Sequence, residues 1–247
     1  MRLLPSHRPI PLTRTSADPV TFLMVSPTHW NGVRTPDGAL RADALVLDLT
    51  GGGDGAPAGV PDVVVLPGRP CWALVRRPSD SAGAEAALRS LAGVFDGLMV
   101  TCVAGTEHLD QVAELCPGTP LMPVIDSTEA LRRAPSLARH PAVVRLGFTS
   151  RHACQDFTDG MLGEQSTAAW VYRIIAAAST AADLPGPVGG ICPGPQDRVA
   201  VVGEAIRTAG AGFTGYCVTQ PEHLADAAAA LASAGRARIG SQGARRT

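Results

Sequence analysis

Short apolar runs recur along the chain, and most of them end in small, polar or ionisable residues. Val20–Val25 (VTFLMV) reads as a first strand and Ala44–Leu49 (ALVLDL) as a second. The third is either Val63–Leu66 or Trp72–Arg76, with a Pro/Gly turn between the two. Leu98–Val103, Leu121–Ile125, Val143–Phe148, Val188–Cys192 and Gly212–Val218 follow as the fourth to eighth. Runs of this length without alternation suit strands buried on both faces, as in a parallel sheet. Between them lie stretches with helical spacing: Ala82–Ala92, Glu107–Leu115, Glu129–Leu137, Gln165–Ala182, Arg198–Ala209 and Glu222–Ala234. In the longest, Trp170, Ile174 and Ile175 mark the expected apolar side. Thr106 and Ser127 are expected N-caps, and Gly105 and Gly210 expected stops or turns.

Strand–helix alternation repeated about eight times implies an α/β chain with a parallel sheet and right-handed crossovers. A single-domain (β/α)8 TIM-type barrel is the simplest count. An open doubly wound sheet would want a glycine-rich phosphate turn after the first strand, where the chain instead runs SPTHWNG. The glycine run Gly51–Gly55 lacks GxGxxG spacing and reads as a loop. The expected barrel spans 19–235, after a polar segment 1–18 and before a flexible tail 236–247.

Barrels of this kind place their chemistry at the C-terminal ends of the strands. Those ends here carry Asp48, Arg76, Asp126-Ser127-Thr128 and Thr149-Ser150-Arg151-His152. Arg76 suits bidentate binding of a carboxylate, although a surface arginine beside Arg77 is the plain alternative. Asp126 is placed for chemistry or for capping the helix that begins near Ser127. His152 is a ligand or acid–base candidate, or a solvated loop histidine. Asp48 is a site residue or a charge held by backbone amides after its strand. Cys102, Cys154, Cys192 and Cys217 also lie near strand ends, where a thioester-attacking thiol and small apolar filler are the two readings, filler being favoured. Trp30 and Trp72 are expected to pack.

Composition narrows the classes. The chain has 247 residues, 45% hydrophobic and 17% charged, enough apolar content for a large core. Net charge is −1, aromatic residues make up 4%, and no basic stripe appears, which argues against nucleic acid as a partner. No apolar run reaches transmembrane length, and the polar, proline-rich start matches neither a signal peptide nor a lipidation site, so no membrane partner and a cytoplasmic location are expected. The six cysteines form no CxxC pair, against a disulfide framework or structural zinc. All 21 basic residues are arginine. Without lysine there is no Schiff base, which excludes lysine-dependent aldolases, pyridoxal phosphate enzymes and P-loop chemistry.

Several segments, in order, resemble the citrate lyase beta-subunit-like and malyl-CoA lyase group of the HpcH/HpaI aldolase superfamily. The family's first strand FLFVPG compares with FLMVSP at Phe22–Pro27, and ADAVILDLEDAV with ADALVLDLTGGG at Ala42–Gly53. VRVN compares with VRRP at Val75–Pro78, DGIVLPKV with DGLMVTCV at Asp96–Val103, and LIPLIETA with LMPVIDST at Leu121–Thr128. LAFGSxDFAxDLG compares with LGFTSRHACQDFT at Leu146–Thr158, and GFTGKLCIHPxQ with GFTGYCVTQPE at Gly212–Glu222.

The resemblance implies a (β/α)8 barrel and a carbon–carbon lyase or aldolase. It would act on a carboxylate-bearing acyl compound, as a CoA or carrier-protein thioester, through an enolate. It implies a divalent metal, Mg- or Mn-like, held at Asp126 and His152, with Asp156 as a substitute ligand. Arg76 would bind the substrate, Asp48 would order metal-bound water, and Ser127, Thr149 and Ser150 would line the substrate site. It also implies a homo-oligomer, a trimer or a larger ring. The departures bear on mechanism: an imidazole at 152 weakens a Mg²⁺ site, which prefers hard oxygen ligands. The family's DLED becomes DLTG, its LPK lysine becomes Cys102, its GK lysine becomes Tyr216, and its IHP becomes Thr219-Gln220-Pro221. No counterpart is seen for the catalytic Asp that malyl-CoA lyases carry on a C-terminal extension. Two other readings therefore stand beside the first: a metal-independent barrel of a specialised biosynthetic pathway using His152 and Asp126 as acid and base or hydrolysing a thioester, and a non-catalytic paralogue.

Overall fold

A computed structural model of the chain describes residues 20–26, 42–51, 69–78, 82–149, 164–192 and 196–243. Eight parallel strands close into a barrel in sequence order: β1 Val20–Val25, β2 Ala44–Asp48, β3 Cys71–Arg76, β4 Gly97–Thr101, β5 Leu121–Ile125, β6 Gly147–Phe148, β7 Val188–Gly189 and β8 Gly215–Val218. β8 returns to β1 with Val20 opposite Gly215. Helices α1 Ala82–Arg89, α2 Thr106–Leu115, α3 Thr128–Arg139, α4 Glu164–Thr180, α5 Arg198–Ala211 and α6 Leu224–Gly243 form the outer layer, with a 3-10 turn Pro221–His223 before α6. The (β/α)8 expectation is met. The alternative third strand, Val63–Leu66, lies outside the described residues, as does Trp30.

Both strand faces are buried, which is why the strands read as unbroken apolar runs. Phe22, Met24, Ala44, Val46, Trp72, Leu74, Met99, Met122, Val124 and Cys217 fill the interior. Leu23, Leu45, Ala73, Val75, Leu98, Val100, Leu121 and Ile125 pack outward against the helices. Among the described residues the interior leaves no room at Gly97 or Gly147. A Cβ on Gly97, directly opposite Trp72 in the β3–β4 register, would lie 2.5 Å from the indole ring, and one on Gly147 would lie 2.6 Å from Ile191 Cδ1.

Polar groups lock the N-terminal floor of the barrel. Asp43 accepts from the Thr21 amide at 2.7 Å and its hydroxyl at 2.8 Å, and Asp96 accepts from the Cys71 amide at 2.7 Å. Arg145 is buried and donates from Nε to Gly186 O at 2.8 Å and from Nη2 to Thr214 Oγ1 at 2.7 Å, tying together the chain before β6, β7 and β8. Burial pulls its guanidinium down to about 10.

The elements differ from their sequence outlines at definite points. β4 ends at Thr101 because Cys102 turns left-handed, with φ +60°. β6 shrinks to Gly147–Phe148, with Val143 joined to Leu121 only by an isolated bridge. α2 is capped by Gly105 rather than Thr106, with no side-chain hydrogen bond. α5 runs through Gly210 and stops at Gly212, whose φ of +123° only glycine accepts readily. On α4 the buried side is Val171, Tyr172, Ile175 and Ala178, while Trp170 faces outward and is 59% exposed. Tyr172 instead joins Phe148 and Phe213 in edge-to-face contacts, at centroid distances of 5.4 and 5.7 Å.

Candidate active site

The site residues follow from the period-2 alternation of each strand. Val46 faces the interior, so Asp48 at the end of β2 does too; Leu74 places Arg76 there, Met99 places Thr101, and Val124 places Asp126. Gly147 faces the interior side chains of Ile191, Val124 and Met122, which sets Thr149 on the same face. The C-terminal mouth of the barrel is thus lined from β2 through β6 by Asp48, Arg76, Thr101, Asp126 and Thr149.

Their environments differ. Asp48 is half-buried, and its Oδ1 accepts from the Thr50 amide at 3.0 Å and the Thr50 hydroxyl at 2.6 Å. One of its oxygens is therefore held by the loop after β2. Arg76 is exposed and has no ion-pair partner among the described residues. Thr101 donates from Oγ1 to Val75 O at 3.3 Å. Asp126 is half-buried, and its Oδ2 accepts from the Cys102 amide at 2.7 Å. Thr149 is 4% exposed; its amide donates to Ile125 O at 3.3 Å, while its Oγ1 has no hydrogen-bond partner among the described residues.

Ser127 serves as the N-cap of α3, its hydroxyl accepting from the Ala130 amide at 3.1 Å. That hydroxyl is occupied by the helix. Ser150, His152, Cys154 and Asp156 lie outside the described residues. Tyr216 turns away from the mouth: it packs under α5 and donates its hydroxyl to Glu204 Oε2 at 3.2 Å. Cys217 is buried inside the barrel. Burial first, then the nearby Cys192 and Asp48, push its thiol well above the ordinary range, so it is filler rather than a nucleophile. Cys102, by contrast, is exposed at the mouth.

Among the described residues no group of three His, Cys, Asp or Glu side chains is placed to hold a metal ion. Asp126 and Asp48 supply carboxylates, each accepting one backbone hydrogen bond and keeping lone pairs that could serve a cation. The described residues alone supply too few such groups to complete a divalent-metal site.

Comparison with solved structures places this architecture. The barrel resembles those of solved citrate lyase beta subunits. The Mycobacterium tuberculosis citrate lyase beta subunit, complexed with oxaloacetate and magnesium, is 20% identical with a TM-score of 0.65, over 87% of this chain and 97% of that one. RipC from Yersinia pestis is 16% identical with a TM-score of 0.65, over 86% and 94%. The M. tuberculosis protein CitE in complex with magnesium, acetoacetate and coenzyme A is 19% identical with a TM-score of 0.64, over 92% and 88%. No family model matches the chain, and no curated protein sequence matches it. At these identities the likeness establishes the fold. Among the described residues no helix is long and apolar enough to cross a membrane.

Proposed function

We propose that this protein is a citrate lyase beta-like carbon–carbon lyase acting on a carboxylate-bearing acyl compound presented as a CoA or carrier-protein thioester. The observation that carries the reading is Arg76: an exposed guanidinium on the interior face of a barrel mouth, without an ion-pair partner among the described residues. A planar fork of donors in that position suits a substrate carboxylate. Thr149, whose hydroxyl has no hydrogen-bond partner among the described residues, would receive a second substrate oxygen. Asp126 and Asp48 would orient the reacting carbon and its proton; Ser150 and His152 are assigned to the same site from the sequence alone. The magnesium, oxaloacetate and coenzyme A bound in the similar structures support this substrate class. A divalent metal at Asp126 and His152 belongs to the same proposal, as do cytoplasmic location and homo-oligomeric assembly.

The test is cleavage of malyl-CoA and citramalyl-CoA, with acetyl-CoA as the control for thioester hydrolysis, each with and without EDTA. Acetyl-CoA formed from the first two marks a lyase; free CoA marks a hydrolase. Arg76→Ala is expected to lower kcat/KM by about 10- to 200-fold, from losing one charged hydrogen bond of about 1.5–3 kcal/mol. Arg76→Lys keeps the charge without the fork and should fall between the two. Absence of turnover with all three thioesters, or full activity in Arg76→Ala, overturns the proposal.

A further inference from the structure

The pairing of β7 with β8 is short: Val188↔Gly215 and Gly189↔Tyr216, where the ladder ends. Gly190 follows with φ +70°, and a Cβ there would lie 2.4 Å from Cys217 O, so β7 leaves the extended conformation hard against β8. β8 itself continues to Val218. The Gly215 amide donates to Pro187 O at 3.1 Å. By the two-residue period the Thr219 amide turns to the same side, where a longer β7 would have offered a carbonyl. That place is taken by Gln196, which stands directly before Asp197, the N-cap of α5. Its Oε1 accepts from the Thr219 amide, its Nε2 donates to Gly190 O, and its own backbone amide donates to Gln220 Oε1, each at 3.2 Å. A backbone N–H only donates and a carbonyl only accepts, so the two partners fix which end of the side chain meets which strand. One primary amide thus joins the end of β7 to the end of β8 as a peptide group would.

We infer that Gln196 is a positioning residue: its side-chain amide closes the β7–β8 side of the barrel mouth and fixes Thr219 in the ring of mouth residues. Cys217 faces the interior, so Thr219, two residues on and half-buried, carries that face past the end of β8. It extends to β8 the ring formed by Asp48, Arg76, Thr101, Asp126 and Thr149. The closure rests on the hydrogen bonds alone. Its consequence for turnover rests on the proposed site, because the wall then has a substrate to hold in place. The working property of Gln196 is a donor and an acceptor on one neutral group, which a carboxylate or an apolar side chain of the same length does not supply.

Two measurements test this. In the first, amide hydrogen exchange is followed by NMR in the intact protein and in Gln196→Met, which keeps the length of the side chain and removes the donor and the acceptor. The Thr219 amide is expected to exchange at least about tenfold faster, while the Leu45 amide, which donates to Pro70 O between β2 and β3, keeps its rate. An unchanged Thr219 rate, or equal acceleration of both amides, overturns the closure, whether or not any thioester is turned over. The same comparison in Gln196→Ala decides it where the methionine chain does not fold. In the second, Gln196→Glu keeps the acceptor for Thr219 but sets a carboxylate against Gly190 O. Its kcat/KM should be about 10- to 100-fold below that of the intact protein at pH 8, the range for a displaced site wall. That ratio should shrink at least about threefold by pH 4.5, as the carboxyl takes a proton and again donates to Gly190 O, the protonated form being favoured beside a carbonyl acceptor. In Gln196→Met the loss should be similar and flat with pH. A pH-independent ratio in Gln196→Glu, or full activity in Gln196→Met, overturns the positioning role. Where no thioester is turned over, the role in turnover falls with the proposed function, and the exchange result alone decides the closure.

Discussion

Gly97→Ala tests whether the barrel floor is as tightly filled as the structure indicates. The new Cβ would lie 2.5 Å from Cη2 and Cζ3 of Trp72 and 2.7 Å from Cε3, against about 3.5–4.0 Å for an ordinary carbon contact. The indole must therefore give by about 1 Å. It cannot swing outward, because Trp72 is 1% exposed and sits among Leu74, Met99 and the other interior side chains. Overpacking of this kind costs about 1–3 kcal/mol. Removing a glycine from a strand returns about 0.5–1 kcal/mol through the unfolded chain, since Gly97 has no positive φ to lose. The midpoints of these ranges leave a net loss of about 1.3 kcal/mol, or about 3–5 °C in Tm for a chain of this length. Thermal and urea unfolding followed by circular dichroism would measure it. Trp72→Phe removes the outer ring atoms that clash, so the double variant should be at least about 1 kcal/mol more stable than the two single losses added together. A neutral Gly97→Ala, or strict additivity with Trp72→Phe, would refute the reasoning.

Three further outcomes follow from particular contacts. Asp197 caps α5 by accepting from the Val199 and Ala200 amides at 2.9 and 3.1 Å, so Asp197→Ala should cost about 0.5–2 kcal/mol in urea unfolding, while Asp197→Ser should recover most of it. Glu129 is exposed, and its hydrogen bonds to Arg132 and Arg133 hold its carboxyl down to about 2. Its stabilising contribution is complete above the unfolded value of 4.5 and is lost as pH falls from there toward 2, so the gap in urea midpoint between the intact protein and Glu129→Gln should be constant from pH 7 to 5 and shrink below. Arg145, depressed to about 10, carries a desolvation cost of about 3 kcal/mol that is full at any pH below 10 and relieved only as pH rises further. Arg145→Met removes that cost together with two charged hydrogen bonds of about 1.5–3 kcal/mol each, and Gly186 O keeps its bond from Thr214 Oγ1; the net loss should be about 0–3 kcal/mol and flat from pH 5 to 9, with Arg145→Ala worse because it also empties the space.

The strands were legible because burial on both faces makes a continuous apolar run, and β1, β2 and β5 come within one residue of their outlines. The sixth was overread for a physical reason. VVRLGF looks like one strand, but Arg145 in its middle turns its guanidinium to the floor and bonds across to Gly186 and Thr214, and regular pairing begins only at Gly147. Trp170 misled because an aromatic at helical spacing is expected to pack, whereas its neighbours Val171 and Tyr172 take the inner side. At the mouth, Asp48, Arg76 and Asp126 were visible as polar side chains ending apolar runs. The contact from the Cys102 amide to Asp126 was not, because a backbone amide has no side-chain signature.

Asp43 and Asp96, at the floor, and Asp48 and Asp126, at the mouth, look alike in sequence as acids beside apolar runs, but strand polarity separates them. The first pair precede their strands and are consumed by Thr21 and Cys71. The second pair follow theirs and share an interior ring with Arg76. That ring has a simple charge balance: one guanidinium against two carboxylates, a net of −1 from Asp48, Asp126 and Arg76. Among the described residues of that ring Arg76 is the one positive charge, so attraction directs a carboxylate to the end of β3. Removing Arg76 would then do more than delete a contact, because it takes the ring from −1 to −2 and turns the mouth against the ligand. Shortening the guanidinium to an ammonium would keep the balance and lose only the fork. The separation between Arg76→Ala and Arg76→Lys therefore measures how much of the recognition is charge and how much is geometry.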